Sequence, residues 1–206
     1  MSKKKYSFLI FDLDGVIFDS KKNMEYAWSE TCKEFSLLRK FDLYFKNVGL
    51  PFEKILINLK IKPSKKIYES FKRNSLKKID LIKAFKGVKS FFRFLDSKKI
   101  KYSIVTSKDY KRSKYLLKRF KINPISLHSP NKKLRGKPYP DHILQSLKQN
   151  KVDPKKACYI GDTSVDYITA KRSKIGFIFA TYGYGKKRKL YKDNIKKITD
   201  LKKYIN

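Results

Sequence analysis

Four short segments of this chain hold the side chains that phosphoryl transfer requires. Asp12-Leu13-Asp14-Gly15 sets two carboxylates two residues apart, able to point into one cleft if the chain turns, and Gly15 permits the turn. Thr106-Ser107 offers hydroxyls and a backbone N–H to an oxyanion. Lys137-Pro138 is a cation on a restricted backbone, and Gly161-Asp162-Thr163-Ser164-Val165-Asp166 places two acids four residues apart. Uncompensated carboxylates repel one another and a phosphate, so the set asks for a divalent cation beside the lysine. Each segment alone also fits a plain role, such as a helix N-cap at Asp162. The arrangement of all four is what points to a single site.

Each of these segments lies at the end of a predicted strand or in a loop after one. The apolar run Tyr6 to Phe11 predicts a buried strand feeding Asp12, and open α/β sheets carry their chemistry at that carboxyl end. From Lys21 to Phe85 the apolar residues take helical spacing, with loops near Gly49-Leu50-Pro51 and Lys62-Pro63-Ser64 and no strand expected. After Gly87 strands and helices alternate. Helices are predicted at Val88–Ser97, Tyr110–Phe120, Pro140–Gln149 and Ser164–Ser173, and strands at Tyr102–Val105, Pro124–Leu127, Ala157–Ile160 and Gly176–Ala180. Asn194–Ile198 reads as a last edge strand, followed by a terminal helix capped by Thr199. Alternation of this kind specifies a parallel α/β sheet flanked by helices.

With 206 residues, 41% of them hydrophobic, the chain can build one core of ordinary size, and wholesale disorder is excluded. Two cysteines, Cys32 and Cys158, cannot make a disulfide framework, which suits a reduced, cytoplasmic setting. No apolar run reaches the roughly 20 residues of a membrane span, and mean hydropathy is −0.58. Lys3, Lys4 and Lys5 imitate the start of a signal peptide, but Asp12 and Asp14 interrupt the apolar run behind them. The net charge of +34 raises the question of nucleic acid. Lysine is spread along the whole chain and outnumbers arginine, and no recognition signature accompanies it, so nucleic-acid binding is not favoured. A field of this sign still attracts small anions.

The four segments, as FDLDGVIFDS, IVTSKD, GKPYPD and YIGDTSVD, resemble in type and order the four motifs of the haloacid dehalogenase-like hydrolases. The resemblance implies a Rossmannoid core over 1–20 and 86–206, with residues 21–85 as an inserted α-helical cap. It implies Asp12 as nucleophile, forming an aspartyl-phosphate, and Asp14 as general acid/base. It places Mg²⁺ on the Asp12 side chain, the Asp14 carbonyl and Asp162, with Asp166 in support, and the phosphoryl group on Thr106, Ser107 and Lys137. The ending ATYGYG is similar to phosphoglycolate phosphatases, so the implied partner is a small phosphorylated metabolite, phosphoglycolate first. The second carboxylate favours phosphate over halide, since an alkoxide must be protonated on leaving. A β-phosphoglucomutase-like mutase, or a polyanion-binding protein on the same fold, are the alternatives.

Other residues carry less. Asp19 and Ser20 fit either a hinge into the cap or the N-cap of its first helix. Arg39 and the loop at Gly49 are candidate substrate contacts. His128 and His142 read as surface or capping residues, and Lys108 could meet a substrate carboxylate but is one lysine among many.

Overall fold

The computed structural model describes residues 5–186 and 188–205; Lys3 and Lys4 lie outside the described residues. In chain order the elements are β1 (Phe8–Phe11), β2 (Phe18–Asp19), α1 (Lys21–Glu34), α2 (Phe41–Phe45), α3 (Phe52–Asn58) and α4 (Lys65–Lys77). After these come β3 (Lys83–Ala84), α5 (Val88–Ser97), β4 (Tyr102–Val105), α6 (Tyr110–Arg119), β5 (Ser126–His128) and α7 (Asp141–Asn150). The chain ends with β6 (Ala157–Gly161), α8 (Ser164–Arg172), β7 (Gly176–Ala180), β8 (Asp193–Ile195) and a 3₁₀ helix at Ile198–Tyr204.

The main sheet runs β5-β4-β1-β6-β7-β8, and its strand pairs are all parallel. The strands β1, β4 and β6 are buried along their whole length, because helices cover both faces and a two-sided core demands an unbroken apolar run. Leu9 and Phe11 face a cluster with Phe91, Phe92, Leu95 and Leu116. Phe8 and Ile10 point the other way, to Ile143, Leu147 and Ala170, as the two-residue repeat of a strand requires. Register then fixes the site. Phe11 pairs with Ile104 on one side and with Ile160 on the other, so Asp12, Thr106 and Asp162 leave the sheet at one edge. That edge lies at the switch point, where the chain has gone to β4 on one side and β6 on the other.

The segment α1 to α4 builds a cluster of its own around Trp28, Tyr44, Leu56 and Phe71. Asn23 Nδ2 fastens α1 to the end of α4 by donating to the carbonyls of Ser75 (2.8 Å) and Lys78 (2.7 Å). The α-helix stops at Lys77 and a 3₁₀ turn at Ile79–Leu81 follows, short of the expected Phe85. The chain then returns through β3, which pairs antiparallel with β2, Phe18 opposite Ala84. Strands of two residues are too short to show alternation, which is why the sequence pattern missed this ribbon. Thr199 caps nothing. Lys197 holds the N-cap position of the terminal 3₁₀ helix, and the Asp200 carboxylate accepts from the Lys196 and Lys197 N–H groups. Among the described residues no helix is long and apolar enough to cross a membrane.

The lysine bias reaches positions where glycine normally ends a helix. Lys60, Lys99, Lys121, Lys151 and Lys174 all have φ between 52° and 57°. Each is followed by a β-branched apolar residue whose N–H closes the helix end, as Ile100 does on Leu95 O (2.9 Å) and Ile122 on Leu117 O (2.9 Å). A left-handed backbone costs an L-residue roughly 1–2 kcal/mol, partly offset by the greater freedom of glycine in the unfolded chain. Changing Lys99, Lys121, Lys151 and Lys174 to Gly, on four separate helices, should therefore raise stability by about 0.5–1 kcal/mol each. The combined variant should melt several degrees higher in a calorimetric scan; an unchanged or lower midpoint contradicts this account.

Candidate active site

Asp12 is the first residue beyond β1, and its N–H donates to Ile160 O (3.0 Å), so the sheet register carries on to the Asp12 carboxylate. One carboxylate oxygen each of Asp12, Asp162 and Asp166 lie within 4.8 Å of one another, all three side chains buried. Lys137 neutralises part of this charge, with Nζ 2.7 Å from Asp166 Oδ1 and 3.0 Å from Asp12 Oδ1. The Tyr159 hydroxyl also lies 3.1 Å from Nζ.

The three acids are not equivalent. Asp166 Oδ2 accepts from the N–H groups of Asp162 (3.2 Å) and Thr163 (3.0 Å) and from Thr163 Oγ1 (2.7 Å). Its Oδ1 accepts from Lys137 and from Tyr159 OH. Both oxygens are therefore occupied, and Thr163, not Asp162, is the N-cap of α8 in a reciprocal capping box with Asp166. Asp162 accepts from the Tyr184 N–H (2.6 Å) through Oδ2, but its Oδ1 is buried with no hydrogen-bond donor, as is Asp12 Oδ1. At Asp12 the lysine is close without being aligned as a donor. Two orphaned buried anionic oxygens are what a hard divalent cation would satisfy, so the residues fit one.

Burial pushes the Asp12 carboxyl up to about 7 against the pull of Lys137. Burial and the neighbouring Asp166 and Asp12 raise Asp162 well above the carboxylate range. Burial alone would lower the Lys137 ammonium, yet Asp12 and Asp166 together hold it above its ordinary value.

Asp14 stands apart from this cluster. Its Oδ1 accepts from Ser20 Oγ, and its Oδ2 lies 3.2 Å from Lys108 Nζ. Asp12 and Asp14 nonetheless line the same cavity of about 60 Å³, with Thr106, Ser107, Lys108 and Arg112. That is several times the roughly 10–15 Å³ one water centre needs. The Thr106 hydroxyl accepts from the Lys108 N–H (3.1 Å), which bends the chain after β4 around the site. Ser107 Oγ is committed to Gly49 O (2.8 Å), so it ties the core to the helical segment.

Several plain readings change. Ser20 holds the N-cap position of α1, but its hydroxyl bonds Asp14 and no backbone N–H of the helix. Arg39 donates to Leu59 O and Leu38 O and does not line the cavity, whereas Gly49 and Leu50 do. His128 and His142 are buried, not superficial. His128 sits between Gln145 and Ser126, and burial lowers its imidazole. Lys108, named above as able to meet a substrate carboxylate, and Arg112, which sequence reasoning passed over, are both buried at the cavity wall. Only the position of Lys108 beside the Thr106-Ser107 pair hinted at this.

Residues 9–180 match the family described as haloacid dehalogenase-like hydrolase. A phosphoglycolate phosphatase of Aquifex aeolicus is 28% identical over 183 residues, covering 86% of each chain. A phosphorylated carbohydrates phosphatase of Thermotoga maritima is 25% identical over 180 residues, covering 83% of each. Among solved structures, a haloacid dehalogenase-like family hydrolase of Streptococcus pneumoniae superposes with a TM-score of 0.81 at 23% identity, over 96% of this chain and 97% of that one. A Pseudomonas syringae hydrolase gives 0.82 at 22%, over 96% of both. These superpositions speak for the fold.

Lys137 is the sole cation within salt-bridge distance of Asp12 and Asp166 among the described residues. Lys137→Met should cost about 3 kcal/mol or more at pH 8 in chelator, by urea unfolding, because it leaves buried carboxylates unpaired. Burial already raises the Asp12 carboxyl against the pull of Lys137, so without the lysine Asp12 holds its proton in the folded state at pH values where the unfolded chain has released it. Stability must then fall as pH rises, so the cost should shrink towards pH 5. A cost that does not change with pH argues against the pairing.

Proposed function

The chain belongs to the haloacid dehalogenase-like hydrolases, and from that membership we propose that it is a Mg²⁺-dependent phosphatase of small phosphate monoesters. The observation that carries this reading is a second carboxylate, Asp14, on the same cavity as Asp12. A departing halide needs no proton; a departing alkoxide does.

In the first step an Asp12 carboxylate oxygen attacks phosphorus, the bond from phosphorus to the ester oxygen breaks, and Asp14 gives its proton to the leaving alkoxide. In the second, Asp14 takes a proton from water, whose oxygen attacks phosphorus. The bond to Asp12 breaks and inorganic phosphate leaves. Thr106, the Ser107 N–H and Lys137 hold the phosphoryl oxygens, and Lys137 also lets the Asp12 carboxylate approach an anion. Asp12, the Asp14 carbonyl and Asp162 would hold Mg²⁺, with Asp166 fixing the loop and the lysine around them. When bound, the ion supplies positive charge against the phosphoryl oxygens. The orphaned oxygens of Asp12 and Asp162 support this assignment. Residues 21–85 act as the cap, their loop at Gly49 closing on Ser107.

Phosphoglycolate is the first substrate to try, from the Aquifex aeolicus relative, and a sugar phosphate the second, from the Thermotoga maritima one. A cytoplasmic setting suits such a metabolite.

Wild-type protein should release phosphate from p-nitrophenyl phosphate and phosphoglycolate with Mg²⁺ and not with chelator. Asp12→Asn should lose at least about a thousandfold in kcat with an unchanged circular dichroism spectrum. Turnover retained in that variant refutes the nucleophile. Mg²⁺ should also raise the melting temperature at pH 8, and the gain should fade towards pH 5. The reason is that Asp12, near 7, and the raised Asp162 take up protons that compete with the ion. No Mg²⁺ shift at pH 8 would remove the metal from the mechanism.

A further inference from the structure

Beside the reacting carboxylates the same cavity has a second charged end, made by α6 and the residue after Ser107. Arg112 is 5% exposed. Its Nε donates to Asp109 Oδ2, and its guanidinium lies 5.6 Å from the Phe71 ring centroid, so both packing and charge hold the plane in place. Neither terminal amino group has a hydrogen-bond partner among the described residues, although the side chain is almost wholly buried and lines the cavity. Lys108 stands on the same wall, with Nζ on Asp14 Oδ2. Tyr44, Phe52 and Phe71 from the helical segment complete the walls.

An arginine anchored through Nε, with both amino groups free, is a preformed fork for a flat anion, and the fork matches a carboxylate in a bidentate fashion. A cavity of about 60 Å³ leaves space for a short chain between that fork and Asp12. Phe52, Tyr68 and Ser107 also line a neighbouring void of about 400 Å³. A volume of about 60 Å³ has no room for a bulky or doubly phosphorylated sugar.

We propose that Arg112, assisted by Lys108, is the subsite for a carboxylate on the leaving group, making the preferred substrate a phosphorylated hydroxy acid of two or three carbons. The proposal rests on the phosphatase reading and adds residues and a size limit to it. Each end of the substrate then has its own cation: Lys137 at the phosphoryl group, Arg112 at the carboxylate. Binding through Arg112 would place the ester oxygen between Asp12 and Asp14 instead of leaving the phosphate to turn freely.

The test compares phosphoglycolate with ethyl phosphate, which has the same length and no carboxylate, on wild type, Arg112→Met and Arg112→Lys. Wild type should prefer phosphoglycolate in kcat/KM. Arg112→Met should lose roughly 10- to 150-fold on phosphoglycolate, mainly through KM, with ethyl phosphate changed by less than about threefold. Arg112→Lys should fall between, since an ammonium keeps the charge without the fork. Equal losses on both esters would assign Arg112 a structural role and overturn the proposal, as would a wild type with no preference. If neither ester is hydrolysed, the phosphatase reading fails by itself. Titration calorimetry of the same two esters against the three proteins then decides the subsite. A Kd difference that Arg112→Met abolishes upholds it, and equal Kd values refute it.

Discussion

One buried ammonium makes the site possible. Asp12, Asp162 and Asp166 bring three carboxylates together where water is excluded, and without compensation they would have to protonate or separate. Lys137 reaches two of them. Its stem enters from the loop before α7, so the long connection after β5 is tied by charge to the end of β1 at Asp12 and to α8 at Asp166. Asp166 is fully committed to Lys137, Tyr159 and the Thr163 loop. It therefore positions charge for the others, while Asp162 Oδ1 has no donor and Asp12 Oδ1 has only the Lys137 ammonium beside it.

Close backbone approach is the second condition. At Gly15, with φ of +85°, a Cβ would lie 2.1 Å from Asp162 Oδ2. The loop after β1 passes so near the acid from β6 that no side chain fits between them. Gly183 faces the other side of Asp162 in the same way, with a Cβ position 2.3 Å from Asp162 Cβ. The Asp162 side chain is thus clasped between two loops, which fixes where its orphaned oxygen points.

What the sequence revealed, and what it hid, follows from the range of each interaction. The central strands were legible because a two-faced parallel sheet requires runs such as FLIF and YSIV, and the acids were legible because they follow those runs directly. The β2/β3 ribbon was not, since it joins residues some 65 positions apart by two pairs only. Ser20 looked like a helix cap because its local position is one, but a long-range geometry turns its hydroxyl to Asp14. The histidines were misplaced for a related reason: burial on α7 and β5 depends on which helix face meets the sheet. Arg112 was hidden by composition, and Lys108, although noticed, could not be told from the other lysines. In a chain with 52 lysines and arginines a cation carries no signal until its surroundings are known.

The joint of the helical segment and the buried acids are held by the same residues in this fold. The Tyr184 N–H bonds Asp162 Oδ2, while its hydroxyl accepts from the Ser20 N–H (2.6 Å) and lies 3.3 Å from Phe18 O, on the ribbon by which the helical segment joins the sheet. Its ring packs 5.0 Å from Phe45 of α2. Ser20 in turn holds Asp14 through its hydroxyl. A swing of the helical segment about β2 and β3 therefore cannot leave Asp14 and Asp162 undisturbed, because the joint and the acids hold one another through two residues. With Ser107 on Gly49 O from the opposite side of the cleft, the helical segment is latched at the joint and at the mouth. Any displacement of that segment would have to break these contacts to Asp14 and Ser107.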